Sequence, residues 1–153
     1  MNKTTDLHEK AMEFYDEGFF ARREGKKTLA KENFRKALEL ETQSAETLKD
    51  KLEIEPSRSV LYRSAASMAM SCEEYRQAEK LIATALSGNP PEEIAEELRD
   101  LLEEVNLRKK SKGKSKQIEH AKLTFANKTF EVKGFQIGKN IYLRELSKLE
   151  GKV

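Results

Sequence analysis

Two stretches of the sequence share one spacing of aromatic, small and aliphatic residues, and this spacing constrains the fold more than any other feature. The first begins at Phe14 and the second at Tyr62, and both continue 4, 7, 16, 20 and 23 positions further on. The residues at these positions are Phe14, Gly18, Ala21, Ala30, Phe34 and Ala37, and then Tyr62, Ala66, Ala69, Ala78, Ile82 and Ala85. Apolar residues three, four and seven positions apart share one face of a helix. Each stretch is therefore predicted to be a pair of packed antiparallel helices.

The repeated pattern resembles the tetratricopeptide repeat, a helix-turn-helix unit of 34 residues. The resemblance covers residues 11–44 and 59–92, and the second copy ends at Pro90, where the family usually has a proline. The two copies begin 48 residues apart, which is 14 residues more than the 34-residue length of one repeat. The resemblance implies stacked helix pairs closed by a capping helix over about 91–107.

Apolar residues recur at helical spacing from Leu7 to Leu107 and predict five helices. Their approximate bounds are 5–24, 26–52, 57–72, 74–87 and 91–107. Gly25 and Pro56 mark breaks, because glycine is favoured after the end of a helix and the residue before a proline avoids helical geometry. The second helix is predicted to be unusually long, since neither glycine nor proline interrupts the stretch before Pro56.

The balance of charge changes sharply after Leu107. Residues 1–107 contain 16 Lys and Arg against 23 Asp and Glu, a net charge of −7, whereas residues 108–153 have a net charge of +9. Residues 108–117 are predicted to be a basic, solvated linker. Alternating apolar residues then predict a small antiparallel β-meander over 118–153, with Phe125 opposite Phe130 across a turn at Asn127 and Lys128. The predicted fold class is mostly α: a tetratricopeptide-like domain of about five helices, followed by a β-meander.

Several function classes lack their sequence signals. The longest stretch without a charged residue, Leu81 to Pro91, is too short to span a membrane, and Met1 to Lys10 does not have the pattern of a secretory signal. We therefore expect a cytoplasmic protein. The glycines are isolated, and Cys72 is the one cysteine in the chain. We expect no metal, no cofactor and no enzymatic activity.

The resemblance implies a peptide-binding groove lined by the first helix of each repeat. The matching positions are Met12, Tyr15, Asp16, Phe19, Arg22 and Arg23 in the first repeat, and Arg63, Ser64, Ser67, Met70 and Ser71 in the second. Arg22, Arg23 and Arg63 would bind carboxylates of an acidic or C-terminal peptide. Tyr15, Phe19 and Met70 would add apolar contact. The expected function is a scaffold or adaptor that binds another protein.

Three alternatives remain open. Tyr15, Phe19 and Phe20 could instead be core residues, or be covered by the fifth helix or by the tail sheet. The chain could also bind nucleic acid, because a basic run follows Leu107 and each cation there could contact a phosphate. This run consists of Arg108, Lys109, Lys110, Lys112, Lys114 and Lys116. Finally, residues 118–153 could join two copies of the chain through an unpaired strand edge.

Overall fold

The computed structural model describes the backbone of residues 2–114, 116–125, 128–137 and 140–148, and the side chains of residues 2–112. The chain divides into two compact units, Met1–Val105 and Asn106–Val153. The described helices are α1 (Lys3–Arg23), α2 (Lys27–Glu46), α3 (Ser57–Ser71), α4 (Tyr75–Leu86) and α5 (Glu92–Lys114). In the first unit α1 packs on α2, α2 on α3, and α3 on α4. The predicted bounds hold to within two residues, except at the ends of α2 and α5.

The two helix pairs turn at equivalent positions. Gly25, between α1 and α2, has a φ of +77°, and Glu73, between α3 and α4, has a φ of +59°. These residues are 48 positions apart, which is the offset between the two copies of the sequence pattern. A left-handed backbone is favourable for glycine and costs a residue with a Cβ about 1 kcal/mol or more. The repeat in the sequence therefore extends to the backbone of the turns.

Phe34 and Gly18 fix the distance between α1 and α2. The Phe34 ring fills the space in front of Gly18, where an added Cβ would lie only 2.8 Å from the ring. The second pair has Ala66 and Ile82 at the equivalent positions, and both are fully buried. A larger residue on one helix thus matches a smaller one on its partner, as close packing requires.

The predicted long second helix is wrong, because α2 ends at Glu46. The Thr47 hydroxyl donates to the Ser44 carbonyl at 2.6 Å, and short-range turns follow as far as Ile54. Side chains such as threonine compete with the helical backbone for hydrogen bonds. Glu55 then accepts from the backbone N–H of Ser59 at 3.0 Å and helps to start α3. The residues that separate the repeats therefore form an irregular segment, residues 47–56.

A buried arginine joins this segment to the end of α4. Arg58 is only 2% exposed, and its guanidinium donates to the backbone carbonyls of Lys49 at 2.9 Å and Thr84 at 2.9 Å. A Cβ on Gly88 would collide with that guanidinium. Because the last carbonyls of a helix lack helical partners, a buried cation there satisfies them. We call Arg58 and its carbonyl partners the Arg58 clasp.

These elements correct the predicted fold class. Over residues 2–112, where side chains are described, the structure consists of five helices and contains no strand. The predicted linker is wrong over residues 108–114, because α5 continues to Lys114. Lys and Arg are good helix formers and are favoured at the negative end of a helix.

The predicted β-meander is also corrected, in its start and in its register. The second unit contains β1 (Lys116–Phe125), β2 (Lys128–Ile137) and β3 (Asn140–Lys148), in the antiparallel order β1-β2-β3. Phe125 pairs with Lys128 and not with Phe130. From Ala121 to Phe125 each residue of β1 pairs with a residue of β2 two positions earlier than predicted, and the register shifts again between Ile118 and Ala121.

The packing of Phe34 on Gly18 can be tested by exchanging their sizes. We expect Gly18→Ala to lower the free energy of unfolding by about 1 kcal/mol, because overpacking costs about 1–3 kcal/mol and alanine regains about 1 kcal/mol of helix propensity. Gly18→Ala/Phe34→Ile copies the residues of the second helix pair. Its loss of unfolding free energy should be smaller than the summed losses of the two single variants by at least about 0.5 kcal/mol. Urea unfolding of the four proteins measures this coupling, and strict additivity would contradict the account.

The Arg58 clasp predicts a large loss of stability. Arg58→Met removes the guanidinium donors to the Lys49 and Thr84 carbonyls and the cation 3.6 Å from the partly buried Glu55, so we expect a loss of about 3 kcal/mol. The matched control is Arg99→Met, which removes an exposed pair with Glu92. That change should leave the midpoint of urea unfolding in place. Equal effects of the two substitutions would show that Arg58 does not hold the segment.

Candidate functional site

The predicted groove residues lie on two helices that meet near their C-terminal ends. Met12, Tyr15, Asp16, Phe19, Arg22 and Arg23 are on α1, and Arg63, Ser64, Ser67 and Met70 are on α3. The Tyr15 hydroxyl lies 3.5 Å from the Ser71 hydroxyl, which is a point of approach between the two helices. The resemblance therefore selected neighbouring helices, although it did not separate their buried residues from the exposed ones.

Four of these ten residues are engaged within the fold. Met70 is buried, and the Tyr15 ring packs on Phe34 with 5.3 Å between the ring centroids. Met12 is half-buried against the core. Arg63 forms an ion pair with Glu97 of α5, so a partner carboxylate would have to compete with Glu97 for its guanidinium. The apolar and basic contacts expected from these four residues serve folding.

The exposed remainder of the groove is concentrated at the end of α1. Asp16, Phe19, Arg22 and Arg23 are exposed there, and Ser67 is exposed on α3, whereas Ser64 is half-buried. Phe19 is 42% exposed and its neighbour Phe20 is 62% exposed. We name the exposed residues 16, 19, 20, 22 and 23 the α1 surface. Among the residues that the structure describes, none covers Phe19 and Phe20 as that alternative requires.

A cavity of about 390 Å³ opens beside the α1 surface, between the end of α1, the first half of α2 and the end of α3. Its lining residues are Arg22 from α1, Lys27, Ala30, Lys31, Phe34 and Arg35 from α2, and Ser71, Cys72 and Glu73 from the end of α3. Ala30 and Phe34 are almost fully buried and provide an apolar floor. We call this space the α2 cavity.

Most of the charged side chains that line the α2 cavity are cationic. Arg22 lies over the rings of both Phe19 and Phe34, 5.3 Å from each centroid, so its guanidinium is held by two cation–π contacts. Arg35 lies 3.8 Å from Glu74. Among the residues with described side chains, no carboxylate pairs with Arg22, Lys27 or Lys31. Four cations and one carboxylate, that of Glu73, therefore line the cavity.

Sequence reasoning missed most of this cavity. Lys27, Lys31 and Arg35 follow one another at intervals of four residues, so a helical reading of the sequence places them on one side of α2. That spacing was the one feature of the sequence that indicated a row of cations on α2. Their meeting with Arg22 could not be read from the sequence, because it depends on how α1 and α2 pack.

Cys72 lies in the wall of the cavity and is half-buried. Burial raises the pKa of its thiol, and the nearby Arg35 only partly offsets this effect. Because the thiolate is the nucleophilic form, the folded chain keeps Cys72 in its less reactive state near neutral pH.

The basic run after Leu107 does not form one face. Arg108, Lys109, Lys110 and Lys112 are exposed on α5, Lys114 ends that helix, and Lys116 begins β1. At 100° per residue, positions 108 and 112 share a side of the helix, whereas position 110 lies nearly opposite. Arg108, Lys109 and Lys112 also take part in interactions within the chain. Binding of phosphates by this run stays a prediction.

The described residues contain no group of three His, Cys, Asp or Glu side chains arranged to hold a metal ion. His8 Nδ1 instead lies 2.9 Å from a carboxylate oxygen of the buried Glu41, which joins α1 to α2. In the same part of the chain, no helix is both long enough and apolar enough to cross a membrane.

No protein-family model matches this chain, and comparison with curated proteins and with solved structures likewise gives no significant match. The resemblance to the tetratricopeptide repeat thus rests on the sequence pattern itself.

The raised pKa of Cys72 predicts slow alkylation. At pH 7.5 the folded chain should react with iodoacetamide several-fold more slowly than the chain in urea, because less thiolate is present and access is restricted. The rate should rise with pH to a higher midpoint in the folded protein than in urea. Mass spectrometry of quenched samples gives both rates, and equal midpoints would contradict the burial of this thiol.

Proposed function

We propose that the helical unit is a non-enzymatic binding module, and that the α1 surface contacts a segment of another protein. The single observation that carries this proposal is the exposure of the neighbouring residues Phe19 and Phe20, with Arg22 over the Phe19 ring and its charge not paired with a carboxylate among the described residues. Aromatic residues and arginine are the types enriched at protein interfaces and at their strongest contacts. A scaffold or adaptor protein uses such a surface.

The physical support comes from the cost of leaving these side chains in water. Burial of apolar surface contributes roughly 25 cal/mol per Å², so two exposed phenylalanines offer a partner a substantial gain. Arg22 is already ordered between two rings, so little side-chain entropy is lost when its guanidinium binds a carboxylate. The proposed contact surface is therefore preorganised at its charged end.

The proposed surface is narrower than the groove expected from the sequence. Met70 and Tyr15 are used in packing, and Arg63 is paired with Glu97. Phe19, Arg22 and Arg23 remain from the original set as the residues available to a partner. The expected cytoplasmic compartment belongs to the same proposal, and fractionation of source cells with an antibody against the chain tests it.

Photo-crosslinking tests the α1 surface directly. We expect a full-length chain carrying benzoylphenylalanine in place of Phe19 to crosslink a second protein in source cells. The matched control places the same residue at Leu52, which is also exposed but lies in the segment between the repeats. Phe19→Ala/Phe20→Ala should reduce the partner retained in a nuclease-treated pull-down by at least about tenfold, as expected when central aromatic contacts are truncated.

Two results would contradict the proposal. One is equal crosslinking from positions 19 and 52, which would indicate non-specific contact. The other is a crosslinked product with twice the mass of the chain and no second protein, which would make the surface an interface between copies. Thermal unfolding of the double variant is the control for folding, because exposed substitutions usually change stability by no more than about 0.5 kcal/mol.

A further inference from the structure

A row of three cations runs along α2 on the side that lines the α2 cavity. Lys27, Lys31 and Arg35 occupy positions i, i+4 and i+8, and all three line the cavity. A helix rises about 1.5 Å per residue, so consecutive members of the row lie about 6 Å apart along the helix axis. Regular spacing of charges at this distance favours a ligand whose own charges repeat at a similar interval.

This row is positively charged, whereas the helical part of the chain that contains it is negatively charged. Residues 1–107 have a net charge of −7. Lys27 and Lys31 nevertheless have no carboxylate partner among the residues with described side chains. The neighbouring cavity between α2 and α4 is different, since its lining contains Arg35 together with Glu39 and Glu74. Unbalanced positive charge is thus a local property of the α2 cavity.

The floor of the cavity suits a peptide more than a free ion. Phe34 and Ala30 present apolar surface between the cations, and Arg22 closes one end with a guanidinium that can donate to two carboxylate oxygens. A volume of about 390 Å³ lies in the range of sites that enclose small ligands or a few side chains. Apolar contact and charge are therefore available together.

We propose that the α2 cavity binds an extended acidic segment of the partner protein, with Asp or Glu at alternate positions. Side chains two residues apart in an extended chain point the same way and are about 6.6 Å apart, close to the spacing of the cations on α2. This inference rests on the proposed function, because it gives the partner its chemistry. Nucleic acid fits less well, since a long polyanion would leave the row and meet the acidic remainder of the unit.

Glu73 gives the proposal an internal check. Its carboxylate lines the cavity, and its like charge opposes the carboxylates of the segment. Glu73→Gln removes this charge without changing the shape of the side chain. Binding of an acidic segment should therefore become tighter in this variant, whereas binding through apolar contact alone would not change.

The test uses the full-length chain and a seven-residue probe, Ser-Asp-Ser-Asp-Ser-Asp-Ser, labelled with an uncharged fluorophore and followed by fluorescence anisotropy. We expect the probe with Asn in place of Asp to bind at least about tenfold more weakly, because it has no charges for the row. Lys31→Gln should weaken binding at least about fivefold. Lys80→Gln, which makes the same change on the exposed side of α4, should alter it less than about twofold.

Cys72 supplies a second readout on the unaltered protein. Because this thiol lines the cavity, a saturating concentration of the Asp probe should slow its alkylation by iodoacetamide, and the Asn probe should not. Four results would overturn the proposal: equal binding of the two probes, equal losses in Lys31→Gln and Lys80→Gln, no protection of Cys72, or tighter Lys31-dependent binding of a single-stranded oligonucleotide of equal charge.

Failure of this inference is distinguishable from failure of the proposed function. If position 19 still crosslinks a protein while the Asp probe does not bind, only the chemistry assigned to the segment is wrong. If the probe binds and protects Cys72 while position 19 captures nothing, the α1 surface is wrong.

Discussion

The ring of Phe34 is the contact on which both the packing and the candidate site depend. It fills the space in front of Gly18 and packs on Tyr15, so it sets how closely α1 approaches α2. The same ring lies beneath the guanidinium of Arg22 and forms part of the floor of the α2 cavity. A residue that sets the helix spacing therefore also positions the cation of the site. Close packing transmits small changes in volume, so the size of this ring influences the geometry of binding.

The second helix pair repeats the packing of the first without repeating its surface. Ile82 and Ala66 take the places of Phe34 and Gly18, and Glu73 takes the place of Gly25 at the turn. The Arg58 clasp holds the segment between the pairs, because its guanidinium donates hydrogen bonds to backbone carbonyls. The basic cavity beside the first pair thus depends on side chains that the repeat pattern leaves variable. The packing is common to both pairs, whereas the cations of the α2 cavity lie beside the first pair.

The sequence predicted those features that depend on nearby residues. Helix positions followed from apolar spacing, and the turn at Gly25 followed from its conformational freedom. The end of α2 was not predictable by the same means, because the helix ends at Glu46 with no glycine or proline nearby. The burial of Met70 and the pairing of Arg63 with Glu97 could not be predicted from spacing, since both arise from contacts between distant segments. Helical spacing alone cannot distinguish a basic row that solvates a helix from one that lines a cavity.

The central claim is that the end of α1 and the adjoining side of α2 form the binding surface of this protein. Two-dimensional ¹H–¹⁵N NMR of the full-length chain during titration with the crosslinked partner, or with its acidic segment, tests this claim most directly. The account predicts that amide shifts concentrate at residues 19–35 and 71–73 and spare the segment at 47–56. Shifts centred on α4 and α5, with residues 19–35 unchanged at saturation, would contradict it.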